Sequence, residues 1–386
     1  MLPRKILLIS SNHTGMGHRS ICTALLEKLE LKDDVEVTVV DGFELSGKVS
    51  LGKIYGPITR TAKEFYKIFW DISTATTKLI EEINYKFLRE KFSAYLDELR
   101  PDCIVALHPA FNEPVIRIMK DIGLDALHIA LVADLVTIHP LWASKNSDCV
   151  ICPTVEAKEA CMKMGVRERR IKVFGFPVRS DFCTDIGLND AGRTGFQDND
   201  SSFTCLIMSG GEGVGNLGRI ATILLENYNC KIKIIAGRNN ALKKTLETKL
   251  LPKYPERVFV YGLIENVHEV MSGCDIVITR GSPNAMMEAV MCNVPLIING
   301  ALPGQEQGNP MYAEKYGLGL TCRNINGLRK AMDSMLDNGA AKLKEIKQAQ
   351  RDFRNPLNAQ QIVDFITNSD WKLRSKRKRI IKTRKT

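Results

Sequence analysis

The 386-residue chain reads as an α/β protein built from two doubly wound parallel sheets that face each other across a cleft. Three observations carry that reading. The chain opens on the order strand, glycine loop, helix, strand. A second series of the same kind starts at Phe203. Between them, residues 185–202 are rich in Asp, Asn, Gly and Ser, the composition of a linker. Length agrees, because a single core rarely grows beyond about 250–300 residues.

Residues 5–10 form an apolar run closed by the polar and glycine-rich residues 12–17. Ile21, Leu25, Leu26 and Leu29 then recur at helical spacing, and residues 35–40 are β-branched and apolar. Further strands are expected at 103–107, 127–132 and 149–152, which makes residues 1–185 the first domain. Residues 47–95 break its rhythm. Tyr55, Phe65, Tyr66, Phe69, Trp70, Tyr85 and Phe87 mix there with Lys and Arg. Helical spacing suits two readings of these aromatics, a membrane-facing insert or part of the domain core.

The second domain, residues 203–354, has strands expected at 204–208, 231–236, 258–261, 275–279 and 295–298, with amphipathic helices between. Residues 355–386 are a terminal segment. Asn355 as cap and Pro356 at the first helical position start a helix that ends near Trp371, and a basic tail follows.

With 44% hydrophobic and 25% charged residues, the composition is that of a soluble globular protein. No stretch supplies the roughly eighteen apolar residues of a spanning helix. The apolar run at 6–9 is too short for a signal-peptide core. The expected location is the cytoplasm, touching the inner face of the cell membrane only from its surface. The net charge of +10 is mostly a tail: residues 372–386 hold nine Lys or Arg and no acid, so the body is almost neutral. Beyond Trp371 the tail lacks interleaved aromatics, which argues against a nucleic-acid partner. The eleven cysteines are scattered. Cys149 and Cys152 have CxxC spacing, but three residues apart on a strand they point to opposite faces and no second pair follows, so buried thiols are expected rather than a metal site.

Four stretches carry candidate chemistry. Gly15, Gly17 and His18 sit between the first strand and helix. Glycines there let the backbone turn, and the positive helix end disfavours imidazolium, so His18 is expected to be neutral and able to accept a proton. A histidine that merely caps or packs locally is the other reading. The second domain has its own loop, Ser209-Gly210-Gly211-Glu212-Gly213-Val214-Gly215. It is either a tight strand-to-helix turn or, facing the first loop, part of a shared phosphate site. Ser282 as cap and Pro283 as first residue open a helix whose bare N–H groups near Asn284 and Ala285 suit a diphosphate. Glu288, one turn in, is placed to hold both hydroxyls of a ribose. The loop from Pro303 to Asn309, with Gln305 and Glu306, has the amide and carboxylate groups that suit a hexose, or is a generic polar loop.

At these residues the sequence resembles the monogalactosyldiacylglycerol synthase and processive diacylglycerol glucosyltransferase family and, more distantly, the peptidoglycan-precursor GlcNAc transferases. The matching stretches are Gly15-Met16-Gly17-His18, Asp134-Leu135-Val136-Thr137-Ile138-His139-Pro140-Leu141-Trp142, residues 153–158, 173–179 and 209–215, Tyr261-Gly262-Leu263, and residues 280–289 and 303–309. The resemblance implies a GT-B fold of two Rossmann-like domains. It also implies an inverting transfer of a hexose from a UDP-sugar to a membrane lipid such as diacylglycerol. By the same likeness His18 is the base and Glu288 the ribose ligand. Ser282, Asn284 and Ala285 lie at the diphosphate, Gly210 and Gly211 line its side, Leu263 meets the uracil, and Gln305 and Glu306 meet the sugar. Gly15, Gly17, Asp134, His139 and Trp142 fall on the acceptor side. The implied partners are a UDP-sugar, a lipid and an anionic membrane surface, with no metal and no cofactor.

Two departures stand out. Ala133 replaces a common Thr, and Ser282-Pro283-Asn284 stands where a Gly-Pro-Gly-Thr turn is common. They bear on the sugar and acceptor more than on the reaction. The alternatives at this point are a UDP-GlcNAc-dependent transferase acting on another lipid-linked acceptor, a UDP-sugar epimerase, and a non-catalytic nucleotide-sugar binder.

Overall fold

The computed structural model describes residues 3–12, 16–47, 63–183, 202–211, 213, 215–322 and 325–367, with the backbone alone at 63–65. Gly15, the first part of the aromatic insert, the linker and the basic tail lie outside the described residues.

The first sheet has six parallel strands: β1 (Arg4–Ser10), β2 (Val35–Asp41), β3 (Cys103–Ala106), β4 (Leu127–Leu131), β5 (Cys149–Cys152) and β6 (Ile171–Val173), in the order β2-β1-β3-β4-β5-β6. β1 alternates between two cores. Ile6 and Leu8 pack with Ile21, Leu25 and Leu29 of α1 (Gly17–Leu29), while Leu7 and Ile9 pack with Leu88, Phe92 and Leu96. Burial on both faces is why the run reads as continuously apolar. Cys149 and Cys152 are buried free thiols, as the strand reading expects.

After β2 come the short α2 (Gly42–Leu45) and then two helices of the insert, α3 (Lys63–Ala75) and α4 (Thr77–Leu99). The insert answers its two readings differently in its two parts. Leu88, Phe92 and Leu96 recur every four residues, so α4 presents one stripe and becomes a core helix under the sheet. On α3, Ile68, Phe69 and Ile72 remain 54%, 58% and 57% exposed.

The second sheet, also parallel, contains β7 (Phe203–Met208), β8 (Cys230–Ile235), β9 (Val258–Tyr261), β10 (Ile276–Thr279), β11 (Leu296–Ile298) and β12 (Gly319–Thr321), in the order β9-β8-β7-β10-β11-β12. β6 and β12 have three residues each, too few to show a periodic pattern, and sequence reading passed over both. In each sheet the chain reverses beside its first strand, and a ligand crevice forms beyond the carboxyl ends at such a switch point.

Helix α12 (Gly327–Phe353) is broken at residues 337–340 and leads to α13 (Asn358–Thr367). This last helix starts two residues later than expected, with Asn355 Oδ1 accepting from Leu357 N at 3.0 Å. It returns to the first domain. Asn358 Nδ2 donates to the Phe176 carbonyl at 3.2 Å, Lys32 pairs with Asp364 at 2.7 Å, and Phe365 meets Phe174. No helix of the described residues is long and apolar enough to cross a membrane.

Candidate active site

The two glycine loops touch. A Cβ on Gly211 would stand 2.4 Å from Met16 Cγ, and one on Gly17 would stand 2.8 Å from Asn284 Oδ1. Asn284 Nδ2 also donates to the Gly17 carbonyl at 3.2 Å. A side chain at either glycine would require Met16 or Asn284 to shift. Between them is a cleft of about 400 Å³. The first domain contributes Gly17, His18 and Asp134 to its lining. From the second come Gly210, Gly211 and Leu263, then Ser282, Asn284, Ala285 and Glu288, and finally Gln305 and Glu306.

His18, at the start of α1, is driven to a pKa of about 4 by burial, against the smaller opposing pull of the Leu107 carbonyl. It is therefore neutral at pH 7, as expected, but burial rather than the helix end is the main cause. Its ring lies 4.7 Å from His108 and 6.3 Å from Trp142, centroid to centroid.

His139 and Trp142 stand behind this surface. His139 Nδ1 accepts from Leu141 N at 3.2 Å, and its Nε2 is 2.9 Å from Ser73 Oγ. With Nδ1 accepting, the proton sits on Nε2, so both nitrogens are occupied and burial keeps the pKa near 4. Trp142 Nε1 donates to Asp134 Oδ2 at 2.8 Å. The other oxygen of Asp134 accepts from Gln305 Nε2 at 2.9 Å, and Gln305 Oε1 accepts from the Tyr66 hydroxyl at 2.6 Å. One chain of hydrogen bonds thus joins the first sheet, the second domain and the insert. Burial raises Asp134 to about 6, against the two donors.

On the other wall, α10 (Pro283–Met291) begins with Pro283 at N1. Ser282 has the extended backbone of a cap residue, but its hydroxyl accepts no helix N–H. Ser282 is therefore not the expected side-chain cap: it occupies the cap position, but the N–H groups of Asn284 and Ala285 receive no bond from its hydroxyl. Glu288 is buried, and its Oε1 accepts from Ser20 Oγ at 3.2 Å. Burial lifts it to about 7, with Arg179 and Ser20 pulling the other way.

Residues 18–178 match the family model for monogalactosyldiacylglycerol (MGDG) synthase. A probable chloroplastic MGDG synthase of Glycine max is 28% identical over 373 residues, covering 90% of this chain and 68% of that protein. MGDG synthase 3 of Arabidopsis thaliana is 28% identical over 364 residues, covering 89% and 77%. The chain is similar in sequence to the MGDG synthases. In shape it follows the MnaA–UDP complex of S. aureus (TM-score 0.62, 14% identity, 94% of this chain and 96% of that one). It also follows MurG of Acinetobacter baumannii (TM-score 0.61, 13% identity, 94% and 99%). The expected GT-B architecture is present.

Sequence reading missed several residues that pack against the cleft's lining. His108 is one. Its Nδ1 accepts from Ala110 N at 3.2 Å, and burial holds it well below the usual histidine range, helped by His18 and His139. Its only signal was a His-Pro pair after an apolar strand, which looks like an ordinary turn. Tyr66, Trp70 and Ser73 form a second case. Trp70 lies where a Cβ on Gly304 would be 2.5 Å from Trp70 Cγ, and its ring is 4.9 Å from that of His139. Their spacing of four and three was visible, but not what that helical face would meet.

Proposed function

We propose that this chain is an inverting glycosyltransferase that moves a hexose from a UDP-sugar to the hydroxyl of a membrane lipid such as diacylglycerol. One observation carries the reading: a buried neutral histidine faces an uncapped helix N-terminus across a single cleft. His18 accepts the proton of the lipid hydroxyl, and that oxygen attacks the anomeric carbon. The bond to the diphosphate breaks on the opposite side of that carbon, so its configuration inverts. The first turn of α10 supports the charge that develops on the departing UDP. Glu288 holds the ribose, Leu263 borders the uracil, and Gln305 meets the sugar while bonded to Asp134.

The acceptor's nature is supported by α3. Tyr66, Trp70 and Ser73 face the site, and Ile68, Phe69 and Ile72 face outward. An exposed apolar surface backing directly onto a catalytic cleft suits a substrate drawn from a lipid layer. The names of the relatives agree, since they are synthases of a galactolipid.

The test is to offer UDP-galactose, UDP-glucose and UDP-GlcNAc with diacylglycerol liposomes. Mass spectrometry should find a lipid heavier by one sugar, and NMR should show an anomeric configuration opposite to the donor's. Conversion of the UDP-sugar to its epimer with no lipid product would replace this reading with an epimerase.

A further inference from the structure

We infer that Arg280 is the side chain that grips the donor diphosphate, and that Glu306 is the positioning residue that aims it. The inference rests on the UDP-sugar reading above and reassigns Glu306, expected from the sequence to meet the sugar.

Arg280 follows β10 directly, at the switch point beside β7, and two residues before the uncapped start of α10. Its side chain is 16% exposed and that of Glu306 is 4% exposed. Glu306 is fixed first: its Oε2 accepts from Leu302 N at 2.7 Å. The same oxygen lies 2.9 Å from Arg280 Nε. This is an ion pair in which Nε makes no hydrogen bond, and it holds the guanidinium on its Nε side while the terminal nitrogens point elsewhere. They point toward the glycine loop, where a Cβ on Gly210 would be 3.9 Å from Arg280 Nη2. Gly210 has φ +66° and no side chain, so nothing of its own fills the space between that nitrogen and the cleft.

Arginine suits this task for a physical reason. Its five N–H donors form a rigid fork, and two of them can meet two phosphate oxygens at once. The free N–H groups of α10 approach the diphosphate from one side and carry about half a positive charge. Two phosphate groups need more than that, and Arg280 supplies a full charge on the adjoining side. Glu306 serves the arginine by holding Nε, so the fork does not have to be ordered when the donor arrives. A carboxylate with one oxygen committed both to a backbone N–H and to an ion pair with a guanidinium is a poor primary ligand for a sugar hydroxyl.

The test compares uridine with UDP, each by titration calorimetry, on the full chain. Arg280→Met should weaken UDP by tenfold or more and leave uridine within about twofold of wild type. Arg280→Lys keeps the charge but loses the fork, and should fall between them. Glu306→Gln should weaken UDP several-fold with uridine unchanged, and should not alter the ratio of UDP-sugar to UDP affinity. If Arg280→Met does not fold, as a thermal melt would reveal, the lysine variant decides. UDP binding unchanged in Arg280→Lys and Arg280→Met overturns the assignment, as does an equal loss of uridine and UDP. A Glu306→Gln variant that weakens the UDP-sugar but not UDP returns Glu306 to the sugar. Wild-type protein that binds no UDP overturns the donor reading itself, which separates that failure from this one.

Discussion

The two sheets deliver a glycine loop to the same cleft, yet they build their halves of the site from different material. The second domain has a strand on the far side of β8, and beside the side chains of Arg280, Glu288, Gln305 and Glu306 it contributes backbone: glycine turns and the open end of α10. In the first domain no strand is described beyond β2, and the chain goes instead into α3 and α4. Its contribution is buried side chains, with His18, His108, His139 and Asp134 all displaced from their ordinary pKa values mainly by burial. Backbone N–H groups suit what every nucleoside diphosphate has, its paired phosphates. Side-chain sites are free to differ between acceptors.

The largest effect should come from the side-chain half. His18→Ala should lower turnover by on the order of 100-fold or more, the usual worth of a positioned base. UDP affinity should stay nearly unchanged, because α10 and Glu288 are untouched. Turnover close to wild type would break the comparison at its root by removing the base from the first domain.

The second test concerns Glu288, the one strongly shifted carboxylate on the backbone-built wall. At pH 8, where the carboxylate is ionised, Glu288→Ala should weaken UDP roughly tenfold, since hydrogen bonds to an ionised group are the stronger kind. The same residue also gives a pH signature. Its folded pKa is raised from 4.5 to about 7, so the native state favours the protonated form. Stability owed to that form is full below about pH 4.5, declines as pH rises through 7, and is gone above it. Glu288→Gln, which stays neutral, should therefore melt higher than wild type at pH 8 and level with it at pH 4. The upper bound on the gain is about 3 kcal/mol, at 1.36 kcal/mol per unit. Equal melting points at pH 8 would show that the carboxylate is not strained by its site.

The backbone half was also the half that could be read from the sequence. Pro283 after Ser282, and glycines after an apolar strand, announce a helix start and a turn whatever surrounds them, although the Ser282 hydroxyl does not cap. His18 could be singled out as a neutral histidine, but the cause of its neutrality could not, because its neighbours His108 and Trp142 are distant in sequence. Tyr66 illustrates the limit most clearly. Its hydrogen bond to Gln305 spans 239 positions, and no local pattern encodes it. Glu306 could be placed in the site by its loop, while its partner Arg280 passed as part of a motif.

The smallest effect concerns the proposed docking on a lipid surface, where α3 and the basic tail would act by different physics. Three exposed apolar side chains on α3 gain by leaving water, and that gain is insensitive to salt. Nine positive charges in residues 372–386 are each worth about 1 kcal/mol near an anionic surface, and that attraction fades within a Debye length. The two contributions can therefore be separated by salt. Changing Ile68, Phe69 and Ile72 together to Ser should reduce sedimentation with liposomes several-fold at both low and high salt. Removing residues 372–386 should reduce it with anionic liposomes at low salt, little at high salt, and not at all with neutral ones. Both variants should bind UDP as wild type does, because neither change touches α10. If the serine variant sediments fully while the truncation does not, the apolar face of α3 is not the contact, and docking of the first domain is electrostatic alone.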